Sequence, residues 1–482
     1  MALHGAPMSA PDGLLARLAD LVGDRYLITD PALQSRYLAE RRGLYRGHAR
    51  AVVLPADTQA VAAVLHACAE AKAVVVPQGG NTGLCGGATP DESGTDIILS
   101  LERLNRIRAV DADDFTLVAE AGCTLASVQR AAAAHGRLFP LGYAAEEFCQ
   151  IGGNLATNAG GMNVLRYGNT RDLTLGVEVV LADGSIWNGL NQLRKDNSGY
   201  DLKDLFIGSE GTLGVITAAV FRLFPKPRHH ITALVGLPSA EAAVALLAEL
   251  RAATGDALTA FEFMARTAVE FSVRHGRGCS EPFAERYPWY VVSDVTSSRL
   301  RDDLELLLTD ALGSARGAGI LSDWRLGATA AERAELWAIR SAIPGAQRHE
   351  GVSIKQDVSV PVSRIPAFLA AADRAVTERL PGIRPCAFGH VGDGNIHYNL
   401  SQPTGMDPER FRARWGEFNR LVHDIVRDFG GSFAAEHGVG RLKPGEVARL
   451  KSPVEVELMR RIKHALDPDA RLNPGKVVPQ AE

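Results

Sequence analysis

PQGGNTGLCGG, residues Pro77 to Gly87, is the stretch on which the fold turns. It follows a helical pattern, TQAVAAVLHACAEAK from Thr58 to Lys72, and an apolar run, VVVP from Val74 to Pro77, that reads as a buried strand. A loop this rich in glycine offers many backbone N–H groups free of Cβ crowding, which is what a pyrophosphate needs for close approach. It is not G-x-G-x-x-G, because Asn81 stands at the second glycine, and G-x-x-x-x-G-K-[ST] occurs nowhere in the chain. Nicotinamide-type Rossmann domains and P-loop NTPases therefore lose support. Alone, the cluster would read more readily as a merely tight Gly-rich turn.

Two further clusters change that reading. IGGNLATNAGG (Ile151 to Gly161) mixes paired glycines with Asn and Thr donors, and FIGSEGTLGVIT (Phe206 to Thr217) ends in a strand. All three are expected at strand-to-loop corners, and three such loops in one domain argue for one large, phosphate-bearing ligand. FPKP followed by RHH marks a Pro-bounded junction, after which Ser239 to Thr254 is strongly helical. Beyond it, strand-like runs (Tyr290 to Val295, Val352 to Val360) alternate with helical ones (Arg299 to Leu312, Ala330 to Ser341, Arg364 to Arg379), which predicts an α+β second domain.

A second group of motifs points to a metal. In FGHVGDGNIHYNL (Phe388 to Leu400), Asp393-Gly394 is a two-residue hairpin signal. Centring the turn there pairs Gly392 with Asn395, Val391 with Ile396 and His390 with His397, so both imidazoles project from one face, with Asn399 further along it. Opposed Cβ atoms lie about 4.5–5.5 Å apart, which lets two ring nitrogens converge on one cation at about 2.0–2.1 Å each. AAEHGVGR adds Glu436 beside His437. In an extended segment such neighbours diverge, so one could ligate while the other faces a substrate. Two ordinary surface histidines and a solvated corner fit the same residues. In the strand read over Val352 to Val360, alternation puts Ser353, Lys355 and Asp357 on one face.

With PQGGNTGL, IGGNLATNAGG, RKDNSGYDLKDLFIGSEGTLGVIT (Arg194 to Thr217) and EHGVG on the page, the chain resembles the FAD-dependent D-2-hydroxyacid dehydrogenases of the vanillyl-alcohol-oxidase superfamily, over nearly its whole length. The resemblance implies an α+β fold: a two-subdomain FAD-binding domain of the vanillyl-alcohol-oxidase (PCMH) type plus an α+β cap. The expected divisions are a helical segment over 1–47, the FAD domain over 48–227, the substrate domain over 228–430, and a segment over 431–482 returning to the FAD domain.

The resemblance also implies the site. Pro77, Gly79, Gly80, Asn81, Thr82, Gly83 and Leu84 would wrap the diphosphate, and Gly142, Gly152, Gly153, Asn154, Thr157, Asn158, Gly160 and Gly161 would line the rest of a non-covalent FAD. Glu210, Gly211, Gly214 and Ile216 would hold its adenine side, with Asn473 as a further contact. His390, His397 and Glu436 would bind a divalent metal, zinc being the expected one, with His437 as general base and Asn399 in the catalytic group. Arg340 and Lys355 match the residues that hold the substrate carboxylate. After Arg340 the chain departs from the pattern: Ile343, Pro344 and Gly345 stand where a hydroxyl-bearing contact is expected. The implied reaction is oxidation of D-2-hydroxyglutarate to 2-oxoglutarate, with D-lactate or glycolate as the alternative substrate. Electron-transfer flavoprotein or a quinone would take the electrons, and a homodimer is the assembly left open. A zinc hydrolase, or a flavin subunit without turnover of its own, is the competing reading.

Composition bounds these readings. With 46% apolar and 22% charged residues in 482, the chain has the makeup of a globular protein. Its 52 basic and 56 acidic residues give a net charge of −4, without the positive field nucleic acid requires. The six cysteines are dispersed with no C-x-x-C, which argues against an iron–sulfur cluster or a disulfide framework. No apolar run spans a membrane, and MALHGAPMSAPDG lacks the look of a leader, so a cytoplasmic location is expected.

Overall fold

The computed structural model describes residues 13–143 and 145–480, so most of the N-terminal stretch read for a leader lies outside the described residues. Three sheets organise the chain. The first runs Leu27–Ile28, Ala51–Val53, Ile97–Ser100, Val75–Gln78, the last three strands parallel. The segment expected to be purely helical over 1–47 thus also supplies an edge strand after the helix Gly13–Val22. Thr58–Glu70 forms the crossover helix, its first turn closed by the Asp57 side chain on the Ala60 N–H.

The second sheet is antiparallel, in the order Ile107–Asp111, Thr116–Glu120, Val215–Arg222, Thr174–Val180, Ile186–Gly189. Its central strand Val215–Arg222 is buried over all but the last residue, as an inner strand must be when both faces are covered. The glycine cluster at 152–161 does not sit on a strand corner. Its first half is the helix Ile151–Ala156, which packs so closely that a Cβ on Gly152 would lie 2.9 Å from that of Ala121.

The third sheet begins at His229, just past the Pro-rich junction. It runs Asp323–Gly327, His229–Leu237, Trp289–Ser297, Leu258–Ala265, Arg384–Gly389, Asn395–Ser401, Ser353–Ile354. One face packs on the helices Ala240–Thr254, Leu304–Gly317, Ile365–Arg379 and Trp415–Asp428; the other packs on Arg266–His275 and Ala330–His349. The strand read as continuous over 352–360 breaks at 355–357 into Ser353–Ile354 and Val358–Ser359, both paired to Asn395–Ser401. The register is the same on either side of the break, Ile354 opposite Leu400 and Val358 opposite Ile396, so the interruption does not slip the pairing. The helix expected to end at Ser341 continues to His349 through Pro344, started by a capping box between Thr329 and Glu332.

The chain's end returns to the first sheet. Leu472 pairs with Val75, and Asn473, at φ +46°, donates to Val75 O (2.9 Å), Gly87 O (2.8 Å) and Glu210 O (2.7 Å). One side-chain amide therefore ties two of the glycine-rich turns to the C-terminal segment. Asn473→Ala strands two carbonyls at about 1–3 kcal/mol each; a thermal-unfolding comparison should show a clearly lowered midpoint.

Candidate active site

The three glycine loops converge. A Cβ built on Gly80 would lie 2.1 Å from Phe148 O, one on Gly79 3.5 Å from Gly153 N, and one on Gly211 3.1 Å from the Pro77 ring. Gly142 and Gly161 touch so closely that a Cβ on Gly161 would sit 2.3 Å from Gly142 O. Asn81 takes the left-handed conformation at φ +49° and donates to Ala39 O at 2.9 Å, while Leu84 O accepts from Arg42. Thr82 and Gly83 continue the same turn, with open space around Gly83 and also around Gly153.

Several expected cofactor contacts turn out to hold protein. Thr157 donates to Gly153 O, Asn158 accepts from the Arg171 N–H at 2.9 Å, and Gly214 is small because Val179 and Phe206 crowd it. Ile216 is a buried strand residue. The carboxylate of Glu210 accepts the N–H groups of Val439 (2.7 Å) and Gly440 (2.9 Å), so what Glu210 can offer a ligand is its backbone turn. Burial pushes its carboxyl up despite those donors. Asn154 Nδ2 and Gln150 Oε1, by contrast, are buried with no partner among the described residues. Open backbone turns beside orphaned polar atoms fit a large polar group such as FAD.

The histidine hairpin carries a correction. Its connection is five residues, 390–394, not two, and Phe388 rather than His390 faces His397. Because the register differs by two and side chains alternate with period two, the face is unchanged. The His390 and His397 rings lie 5.5 Å apart. Glu436 and His437 do not diverge either: the chain bends there and both side chains enter one cluster. Glu436 Oε2 is 3.8 Å from His390 Nε2, and its Oε1 is 3.5 Å from both His397 Nε2 and His437 Nε2. His437 stacks on His397 at 5.7 Å and turns Nδ1 toward Asp357 Oδ2 at 3.6 Å. Glu436 and His437 stay 20% and 26% exposed, which leaves the cluster open on one side.

Among the described residues the tightest group of possible ligands is Asp357, His397, Glu436 and His437. Asp357 is already engaged, accepting from the Glu436 N–H (3.0 Å), the His437 N–H (2.8 Å) and Asn395 Nδ2 (3.0 Å). His390, though outside that group, keeps Nε2 toward Glu436 while Nδ1 bonds Glu262. Burial pushes the His397 imidazole down, which favours the neutral ring with a lone pair to give. Burial also opposes ionisation of Glu436, but the three histidines hold its carboxyl below the usual range. A carboxylate ringed by imidazoles is a donor set that fits a divalent cation such as zinc.

Arg340 is joined to this cluster through Glu262, and Lys355 is joined to Asn399 through Gln347. Arg340 is buried, bonds Glu262 through Nε at 2.8 Å and lies 4.8 Å over the Phe388 ring, with its two Nη groups unbonded among the described residues. Lys355, lowered by burial to about 8, bonds Gln347, whose Oε1 also accepts from Asn399 Nδ2 at 3.1 Å. Pro344 is exposed and carries no donor on this helix. Glu262 and Gln347 sit in no motif of the sequence, and Asp357 is read there only as sharing a face with Lys355. Strand pairing brings in Glu262, the segment between two short strands brings in Asp357, and the helix Ala330–His349 brings in Gln347. The two regions meet at Gly160, where a built Cβ lies 3.8 Å from Glu436 Oε2.

Comparison with known proteins gives the chain its family. Residues 49–189 match the family described as FAD binding domain, and residues 226–477, just over half the chain, match FAD linked oxidases, C-terminal domain. The chain belongs to the FAD-linked oxidases. Relatives of this oxidase include D-2-hydroxyglutarate dehydrogenase of Xanthomonas citri pv. viticola, 39% identical over 452 residues and 94% of each chain. The mitochondrial D-2-hydroxyglutarate dehydrogenase of Bos taurus is 39% identical over 96% of this chain and 83% of its own. Among solved structures, p-cresol methylhydroxylase with substrate bound superposes with a TM-score of 0.76 at 19% identity, covering 97% of this chain and 96% of that one. Alkyldihydroxyacetonephosphate synthase gives 0.71 at 17%, covering 98% and 86%. The fold is thus the vanillyl-alcohol-oxidase type expected, and the oxidase binds FAD. No helix of the described residues is long and apolar enough to cross a membrane, and all six cysteines are free.

In this oxidase Gly80→Ala forces backbone apart at Phe148. The purified variant should carry markedly less FAD per chain, read from oxidised-flavin absorbance against protein.

Proposed function

We propose that the chain oxidises D-2-hydroxyglutarate to 2-oxoglutarate, using FAD and a divalent metal, zinc being the metal proposed. The observation that carries this reading is the contact between Gly160 of the flavin loops and Glu436 of the histidine cluster, with the free Arg340 fork alongside. The relatives named for this substrate, identical at 39% over most of both chains, point the same way.

In this reading FAD supplies the two-electron acceptor that takes the α-hydrogen as hydride. A divalent cation, held by His390, His397 and Glu436, supplies positive charge that acidifies the substrate hydroxyl. The chain does the rest. Arg340 and Lys355 grip a carboxylate by charge-assisted hydrogen bonds, the planar Arg fork being suited to two parallel contacts. Asn399, joined to Lys355 through Gln347, keeps that ammonium in place. His437 takes the hydroxyl proton at Nε2, and Asp357 on the Nδ1 side orients the ring and steadies the imidazolium that results. Loss of the O–H proton to His437 and of the α-hydrogen with its electron pair leaves a 2-oxoacid, so the step balances; electron-transfer flavoprotein or a quinone would take the two electrons released. A cytoplasmic location belongs to the same proposal, since some relatives are named mitochondrial.

Pro344 and Gly345 favour one second reading. Without a hydroxyl at these positions the helix offers less to the distal carboxylate of D-2-hydroxyglutarate, which admits the shorter D-lactate or glycolate. Anaerobic mixing with D-2-hydroxyglutarate, D-lactate, glycolate and the L-enantiomers separates the cases. The expected result is rapid flavin bleaching by D-2-hydroxyglutarate alone; bleaching by D-lactate alone transfers the reaction to that substrate, and no bleaching refutes both.

Two further outcomes are expected. His437→Ala should lower kcat by about 10²–10⁴-fold with FAD retained, measured by dye-coupled turnover. Dialysis against a chelator should abolish hydroxyacid reduction while FAD stays bound, with zinc restoring it; full activity of the chelated protein removes the metal from the reaction.

A further inference from the structure

We propose that Glu262 is a positioning residue shared by the two halves of the site: one carboxylate that fixes the tautomer of His390 and the aim of Arg340 together. The proposal rests on the metal and substrate roles given above. Glu262 lies in the middle of the strand Leu258–Ala265 with its side chain fully buried. Pairing of Phe263 with Gly389 and Met264 with Phe388 brings that strand alongside the start of the histidine loop, so the next step of the register sets Glu262 beside His390. Alternation turns Glu262 to the same face as Met264, toward the helix that carries Arg340.

Its two oxygens serve different partners. Oε2 accepts from Arg340 Nε at 2.8 Å, and Oε1 meets His390 Nδ1. A buried carboxylate at a position flanked by Phe261 and Phe263 is tolerated only when paired. Here both partners are themselves site residues, and each is left with its working atoms free. A bond from His390 Nδ1 to Glu262 turns Nε2 toward Glu436, the nitrogen that a cation would take. Holding Arg340 by Nε alone leaves the Nη fork for a carboxylate. Because one group steadies both, disturbing it should weaken cation binding and substrate binding in the same variant.

The test compares the wild-type holoenzyme with Glu262→Gln, which keeps the shape but turns one acceptor oxygen into a donor. FAD content serves as the folding control. Zinc affinity is read by competition with a chelating dye, and KM and kcat for D-2-hydroxyglutarate are read with an artificial electron acceptor. We expect normal FAD content, zinc affinity lower by about 10–100-fold, and KM raised by roughly ten- to a hundredfold through the misaimed Arg340. Zinc affinity and KM both at wild-type values, with only thermal stability lost, would overturn the proposal, and so would a change in just one of the two. Should the Gln variant not fold, Glu262→Asp keeps the charge but is too short to span both partners. It should lose at least one of the two properties, and wild-type behaviour in both overturns the shared role. Failure of the underlying function is seen separately, as a wild-type protein that no hydroxyacid reduces, because the zinc comparison needs no turnover.

Discussion

The carboxylate of Glu436, held among His390, His397 and His437, is the interaction on which the rest of the site depends. A largely buried carboxylate is unfavourable unless opposite charge or a cation meets it. Three imidazoles meet it here, His390 at one oxygen and the stacked pair His397 and His437 at the other, each with a second anchor. His390 is backed by Glu262, His437 by Asp357, and His397 by its place on the strand Asn395–Ser401 opposite Phe388. Asp357 also grips the backbone N–H groups of Glu436 and His437, so the bend that brings both side chains inward is fixed by the strand segment beside it.

That bend is tied to the flavin loops as firmly as to the cap. Glu210, in the third glycine loop, accepts the amides of Val439 and Gly440, two and three residues beyond His437, and Asn473 binds the carbonyls of both Gly87 and Glu210. The proposed chemistry needs a hydride acceptor and a proton acceptor on the same carbon–oxygen unit, so the two must be set against each other with little play. A continuous hydrogen-bonded path from the first and third glycine turns to His437 supplies that constraint without any group having to reach across the molecule.

How much of this was legible in the sequence follows from the range over which each signal acts. The glycine loops and the α+β cap are local patterns and were readable, although Ile151–Ala156 proved to be a helix rather than a corner because a tight approach to Ala121 favours it. The hairpin was read with a turn of two residues where five are used, yet the two histidines share a face because an even shift preserves the alternation. The bend at Glu436 was misread as extended because what bends it, Asp357, lies 79 residues away. Glu262 is likewise 128 residues from His390 and 78 from Arg340, and its role comes from strand pairing that no spacing rule encodes. Glu210 and Asn473 hold loops to one another, and a motif by itself does not separate residues that hold a loop from residues that hold its ligand.

The most direct test of the central claim, that Glu436 organises a cation site beside the flavin, is anomalous diffraction at the zinc edge from crystals of the FAD-bound protein grown with zinc. The account predicts a single strong peak bounded by His390, His397 and Glu436, next to the Gly160 turn. Absence of any peak there, or a peak between Asp357 and His437 with His390 left out, would contradict it.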